Sequence, residues 1–113
     1  LTRARWEVEL VGSPCTPDDL QESTARLVSQ GSLTYARGEK RKVVDLTSTF
    51  VGVSQVVSTG SGCSFVLDTR ACPSGSLRPA VLVDAAGLAY DSLRVRRVGQ
   101  WHEGVDGSLV EPV

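Results

Sequence analysis

Arg37, Lys40, Arg41 and Lys42 are crowded into one short stretch that runs directly into Val43-Val44-Asp45-Leu46. Guanidinium and ammonium groups held this closely suit phosphates or carboxylates, which accept charge-assisted hydrogen bonds. A second group, Arg94, Arg96 and Arg97, brings the clustered cations to 7 of the 12 in the chain. The formal net charge is nevertheless -1, whereas dedicated nucleic-acid binders are usually basic over the whole domain. Any anion-binding role is therefore local. The chemistry on offer is recognition by a surface.

The residue types that do covalent or acid–base chemistry are present without partners. His102 is the only histidine, with no nearby cysteine and no serine placed to form a triad. Asp18 and Asp19 belong to a helix start and Asp84 to a helix end, so no pair of acids is poised for proton transfer. Asp45 is expected to pair with Lys40 or Lys42, or to cap the Thr47-Ser48-Thr49 turn behind it. The three cysteines, Cys15, Cys63 and Cys72, have no C-x-x-C spacing, which removes a zinc knuckle and a thioredoxin-type pair. They are read as reduced thiols of a cytoplasmic protein, the alternative being a Cys63 to Cys72 bridge across a hairpin. No cofactor is expected in this chain, and the domain itself is not read as an enzyme.

The elements that must position these groups follow from periodicity and turn chemistry. Residues 3–11 alternate, with Ala4, Trp6, Val8 and Leu10 on one face and Arg3, Arg5, Glu7 and Glu9 on the other, the pattern of a half-buried strand. Thr16-Pro17-Asp18-Asp19 supplies a hydroxyl N-cap, a proline at the first helical position and two acids at the positive end of the dipole. Leu20, Thr24, Leu27 and Val28 form the inner stripe of the helix, which Gln30-Gly31 ends. Residues 33–36 resume extended structure, the chain turns through Gly38, and residues 43–46 form a short strand or ladder extension.

Residues 51–58 and 63–69 are expected to pair as a hairpin about Thr59-Gly60-Ser61-Gly62, with Cys63, Phe65 and Leu67 inward. A Pro73-Ser74-Gly75 loop leads to a short helix over residues 79–86, closed by Gly87, and residues 93–100 form the last strand. The order strand, helix, strands, helix, strand is the ferredoxin-like split βαβ plan (βαββαβ), an α+β fold with one mainly antiparallel sheet and two helices on one face. Residues 3–101 are read as a single domain and 102–113 as a flexible tail or linker. The longest apolar run, Ala80-Val81-Leu82-Val83, is far too short to span a bilayer, so no membrane partner is expected.

In that plan the basic hairpin and the last strand sit on opposite sides of a four-stranded sheet, about 15 Å apart at about 4.8 Å per strand. Such a separation suits a polynucleotide track better than one small phosphate. The competing reading is that both clusters are solvated edge charges that discourage sheet-to-sheet aggregation. Arg94 and Arg96 also share a face with Glu7 and Glu9, so cross-strand ion pairs would neutralise them. Compared with the RNP1 pattern of RNA-binding sheets, Ser61-Gly62-Cys63-Ser64-Phe65-Val66-Leu67-Asp68 keeps only the glycine, the middle aromatic and the following aliphatic residue. Phe65 is accordingly read as core.

Three short motifs carry a resemblance across residues 5–97: the basic run into Val-Asp-Leu (Lys40 to Leu46), Ser76-Leu77-Arg78-Pro79 at a helix start, and the closing Arg94-Val95-Arg96. Together they resemble the C-terminal half of the radical-SAM-associated domain of unknown function. Members are commonly encoded beside, or fused behind, a cobalamin-binding radical-SAM protein, and often near genes for ribosomal proteins or RNA processing. The resemblance implies a radical-SAM partner, fused or separate, and a role directed at RNA or the ribosome. It singles out Lys40, Lys42, Asp45, Leu46, Arg78, Pro79 and Arg96.

Thr47 stands where the family pattern has an arginine, and the family's N-terminal half is not in the sequence. A chain that starts Leu1-Thr2-Arg3 and contains no methionine is expected to be a fragment of a longer one, the alternative being N-terminal processing. The C-x-x-x-C-x-x-C cluster signature is also missing, so iron–sulfur chemistry is expected in another domain or chain. The resulting partner- or anion-binding set is Arg37, Lys40, Arg41, Lys42, Asp45, Arg78, Arg94 and Arg96. It serves either a noncatalytic docking domain or a direct RNA-binding module.

Overall fold

The computed structural model describes residues 2–71, 77–103 and 109–110. Cys72, the Pro73-Ser74-Gly75 loop, Ser76 and most of the C-terminal tail lie outside the described residues, as do the side chains of Arg37 and His102. In chain order the elements are β1 (Thr2–Val11), α1 (Pro17–Ser29), β2 (Ser32–Arg37), β3 (Lys40–Asp45), α2 (Leu46–Thr49), β4 (Phe50–Ser58), β5 (Gly62–Ala71), α3 (Pro79–Ala85), β6 (Ser92–Glu103) and β7 (Leu109–Val110). The main sheet has the order β4-β5-β1-β6-β7, and every pairing in it is antiparallel. With β1, β4, β5 and β6 as the four long strands, this is the ferredoxin-like split βαβ arrangement, carrying an inserted hairpin and a short helix between α1 and β4.

Alternation in β1 buries Val8 and Leu10, which face the same side as their partners Phe65 and Cys63 on β5 and Leu93 on β6. Leu20 and Leu27 of α1 and Leu82 and Val83 of α3 complete the buried core, together with Leu46, Leu67 and Leu77. Each enclosed leucine contributes roughly 1.5–3 kcal/mol relative to exposure. A side chain at residue 62 would run into the Leu10 carbonyl oxygen, so the close approach of β5 to β1 there requires Gly62.

Helix α1 begins as its sequence dictates. Thr16 Oγ1 accepts from the Asp19 N–H (3.1 Å), and the Asp19 carboxylate accepts from the Thr16 N–H (3.3 Å), a reciprocal capping box. Gln30 is its C-cap, and Gly31 follows at φ 82°, a left-handed conformation that favours glycine.

Three expectations are corrected. The strand after α1 does not take the sheet edge: β2 and β3 pair only with each other as a separate two-stranded sheet, packed against α1, α2 and α3, and β4 takes the edge. The across-the-sheet separation of the two basic clusters therefore does not hold. Leu46, read as the end of a strand, opens helix α2 and is 1% exposed, because Asp45 caps a helix there. The last strand also runs beyond Gln100 to Glu103, where Leu109 and Val110 pair with it.

Candidate functional site: a detached basic hairpin

The hairpin is held down at one end and open at the other. Leu33 and Val44 face each other across the ladder, and both are buried in the main core, with Tyr35 packed beside them. Beyond that anchor the ladder turns polar apart from Ala36 and the exposed Val43. Lys40, Arg41 and Lys42 are all exposed, and among the described residues none has an ion-pair partner. Gly38, at φ 65°, closes the two-residue loop with Glu39, since a left-handed first position matches the twist of the flanking strands.

The register divides the cluster. Lys42 pairs with Tyr35 and Lys40 with Arg37, whereas Arg41 pairs with Ala36. Side chains alternate along a strand, so Lys40 and Lys42 share the Leu33 and Val44 face while Arg41 lies on the other, with Val43. The cations thus ring the tip on both sides. A flat surface would meet only part of the set, whereas a cleft or an acidic loop could close around it.

Asp45 sits at the base of β3 with its charge already engaged. Its carboxylate accepts from the Thr47 N–H (3.0 Å), the Thr47 hydroxyl (2.6 Å) and the Ser48 hydroxyl (3.2 Å). These bonds, led by that of the Thr47 hydroxyl, hold its pKa below the usual aspartate value. Of the two sequence-based roles, capping is the one realised. Arg78 is exposed at the N-cap of α3, where its side chain makes no capping bond, and α3 packs on β2.

Arg94 and Arg96 lie elsewhere, on the open face of the main sheet. Arg96 Nη2 is 3.0 Å from Glu7 Oε2, and Arg94 Nη1 is 3.8 Å from Glu9 Oε1, following the β1–β6 register. They border a shallow cavity of about 460 Å³ floored by Val57 and Val66, where the signs cancel locally. Arg97 is separated from them by alternation: its guanidinium is 6.0 Å from the Trp6 ring centroid. The eight sequence-assigned residues are therefore not one site. Lys40, Arg41 and Lys42 form the cluster, the Arg37 side chain lies outside the described residues, Asp45 caps α2 behind the hairpin, Arg78 stands on the neighbouring helix, and Arg94 and Arg96 belong to another face.

Two arrangements escaped sequence reasoning. Arg5 is gripped by Asp68 (2.8 and 3.2 Å) and lies 5.5 Å from the Trp101 ring centroid, a contact that depends on the register shift after Arg5. Cys63 donates to the carbonyl oxygen of Cys15 (2.7 Å), and both thiols are buried. Burial and the neighbouring Cys63 push the Cys15 thiol up to about 11, the signature of an inert structural cysteine. Sequence offers no signal for that pair, because the residues meet only when the loop before α1 folds over β5. Comparison with protein families, curated proteins and solved structures finds no match to this chain. No described helix is long and apolar enough to cross a membrane.

Proposed function

We propose that this domain is a noncatalytic docking module of a radical-SAM-linked protein, and that the β2–β3 hairpin is its recognition element. The observation that carries the reading is the hairpin tip, where Lys40, Arg41 and Lys42 project from a ladder outside the main sheet while Leu33 and Val44 fix its base. Rigidly based, unpaired cations recognise an acidic surface at little ordering cost. In this reading catalysis and any cofactor belong to the radical-SAM protein, fused or separate, in the cytoplasm, with RNA or the ribosome as the object of the assembly. The resemblance in Lys40, Lys42, Asp45, Leu46, Arg78, Pro79 and Arg96 supports the assignment to that system.

Direct RNA binding through both basic clusters is the second reading. The pairing of Arg94 with Glu9 and Arg96 with Glu7 weighs against it, since phosphates would have to displace carboxylates already in place. Its distinguishing property is salt dependence: each phosphate neutralised lowers log K by about 0.7 per decade of salt for single strands. Protein docking through one exposed cluster has a shallower slope.

The test is purification of the protein from its own cells, with and without nuclease, in parallel with the Lys40→Glu, Arg41→Glu, Lys42→Glu triple variant. A nuclease-resistant radical-SAM partner, lost in the variant, is the expected outcome. Ribosomal protein or RNA released by nuclease favours the RNA-directed reading, and retention of all partners by a folded triple variant removes the hairpin from the site.

A further inference from the structure

Strand β3 carries its cations along an open edge. It pairs with β2 over all six residues of each strand, without a register shift, and among the described residues no strand lies on its outer side. A two-residue loop joins Arg37 to Lys40, so that closing pair is hydrogen-bonded. The alternation of an antiparallel ladder then turns the N–H and C=O groups of Lys40, Lys42 and Val44 toward β2, and those of Arg41 and Val43 outward. No backbone bond described outside the ladders involves either residue.

The side chains along this edge have one sign and one apolar member. Lys40, Arg41 and Lys42 are exposed, and Val43 beside them, at 67%, is the most exposed large apolar side chain among the described residues. Lysine on an edge strand protects against pairing, and here it repels a second copy of β3, whose cations would be brought alongside. The same row admits an extended segment of opposite charge, because like charges destabilise a strand pair and opposite charges stabilise it. Charge thus selects the occupant rather than closing the edge. Phosphate groups offer acceptors alone and no apolar surface, so they answer the cations but neither the outward carbonyls nor the Val43 side chain.

We propose that the outer edge of β3 takes up an extended acidic segment of a partner protein as an added antiparallel strand, an inference that rests on the hairpin being the recognition element. The register follows from the ladder. The residues of the segment opposite Val43 and Arg41 each exchange both backbone hydrogen bonds with β3. Side chains opposite Lys42, Arg41 and Lys40 are acidic, and the one opposite Val43, which comes first in an antiparallel partner, is apolar. Carboxylates opposite Lys42 and Lys40 lie on the Leu33 face, while the one opposite Arg41 lies on the other face with the apolar residue. A single strand therefore meets both halves of a cluster that a flat surface would divide.

The test uses the 113-residue chain and a fluorescein-labelled synthetic peptide, Thr-Val-Glu-Glu-Glu-Thr. Affinity is read by fluorescence anisotropy at about 50 mM salt, where screening is weak. Binding is expected, weakened about tenfold or more by Lys42→Glu. N-methylation of the peptide at its valine or its second glutamate, whose N–H groups face β3, is expected to cost about tenfold as well. Methylation at the first glutamate, whose N–H faces away, is expected to change affinity less than about twofold. The peptide series leaves the protein unaltered, so a folding defect cannot account for its result.

Equal affinity at every methylation site, with binding still lost in Lys42→Glu, overturns edge pairing while docking through the cations stands. An oligouridylate that binds in place of the peptide, and is lost in Lys42→Glu, overturns both and makes the hairpin an element for RNA. A peptide that fails to bind at up to about 1 mM overturns the proposal and leaves docking through the cations to the purification test.

Discussion

Asp45 shows how a residue that reads as part of a charged site is held by the backbone instead. Its bonds to the Thr47 N–H, the Thr47 hydroxyl and the Ser48 hydroxyl keep its carboxyl more acidic in the folded chain than in the unfolded one. The unfolded state therefore takes up the proton first as pH falls. The stabilisation is whole above the unfolded value, about 3.9, and is lost as pH falls through the lower folded value. Asp45→Asn is expected to flatten this part of the acid limb in denaturant melts taken from pH 5 downward. An unchanged acid limb would mean that the cap contributes nothing. Thr47 is the residue that supplies two of these three bonds to the Asp45 carboxylate.

Cys15 gives a second prediction at this scale. With its pKa pushed up to about 11, only about one thiol in a thousand is ionised at pH 8, against roughly a quarter for an ordinary cysteine. Site-resolved mass spectrometry should show Cys15 alkylated on the order of 100-fold more slowly in the folded chain than in guanidinium at that pH. Equal rates would show that the loop before α1 opens freely over β5.

The β2–β3 hairpin raises the corresponding question for an element. A two-stranded ladder alone is marginal in water, so its geometry depends on the anchoring of Leu33 and Val44 in the core. Leu33→Ala is expected to cost about 2–5 kcal/mol and to act locally first, by freeing the hairpin. Hydrogen exchange should quicken across β3 while the β1 and β5 amides remain protected. Uniform loss of protection would mean that hairpin and sheet unfold as one unit. Much of the element level was legible beforehand. The alternation of β1, the cap of α1, the β4–β5 hairpin and the proline start of α3 rest on neighbours a few residues apart, and each is present. Leu46 was misplaced because an apolar residue after two valines reads as strand continuation, while the cap that ends the strand is a side-chain event at Asp45.

On the scale of the whole molecule, the ferredoxin-like plan followed from the order of the elements, and β1 lies between β5 and β6 as that order requires. Local patterning, through the periods of strand and helix, the capping residues and the turn glycines, let the sequence by itself determine which segments become elements and which of their faces turn inward. The pairing of Glu7 and Glu9 with Arg96 and Arg94 could be anticipated for the same reason, since alternation and strand adjacency place the charges on one face. Tertiary structure alone decided whether the strand after α1 or the one after Asp45 would take the sheet edge. Both have strand-forming residues, and the choice depends on whether Leu33 and Val44 bury better among the helices or β4 pairs better with β5. That competition between long-range contacts put Lys40, Arg41 and Lys42 on a separate hairpin, left Arg94 and Arg96 on a different surface, and brought Cys15 to Cys63.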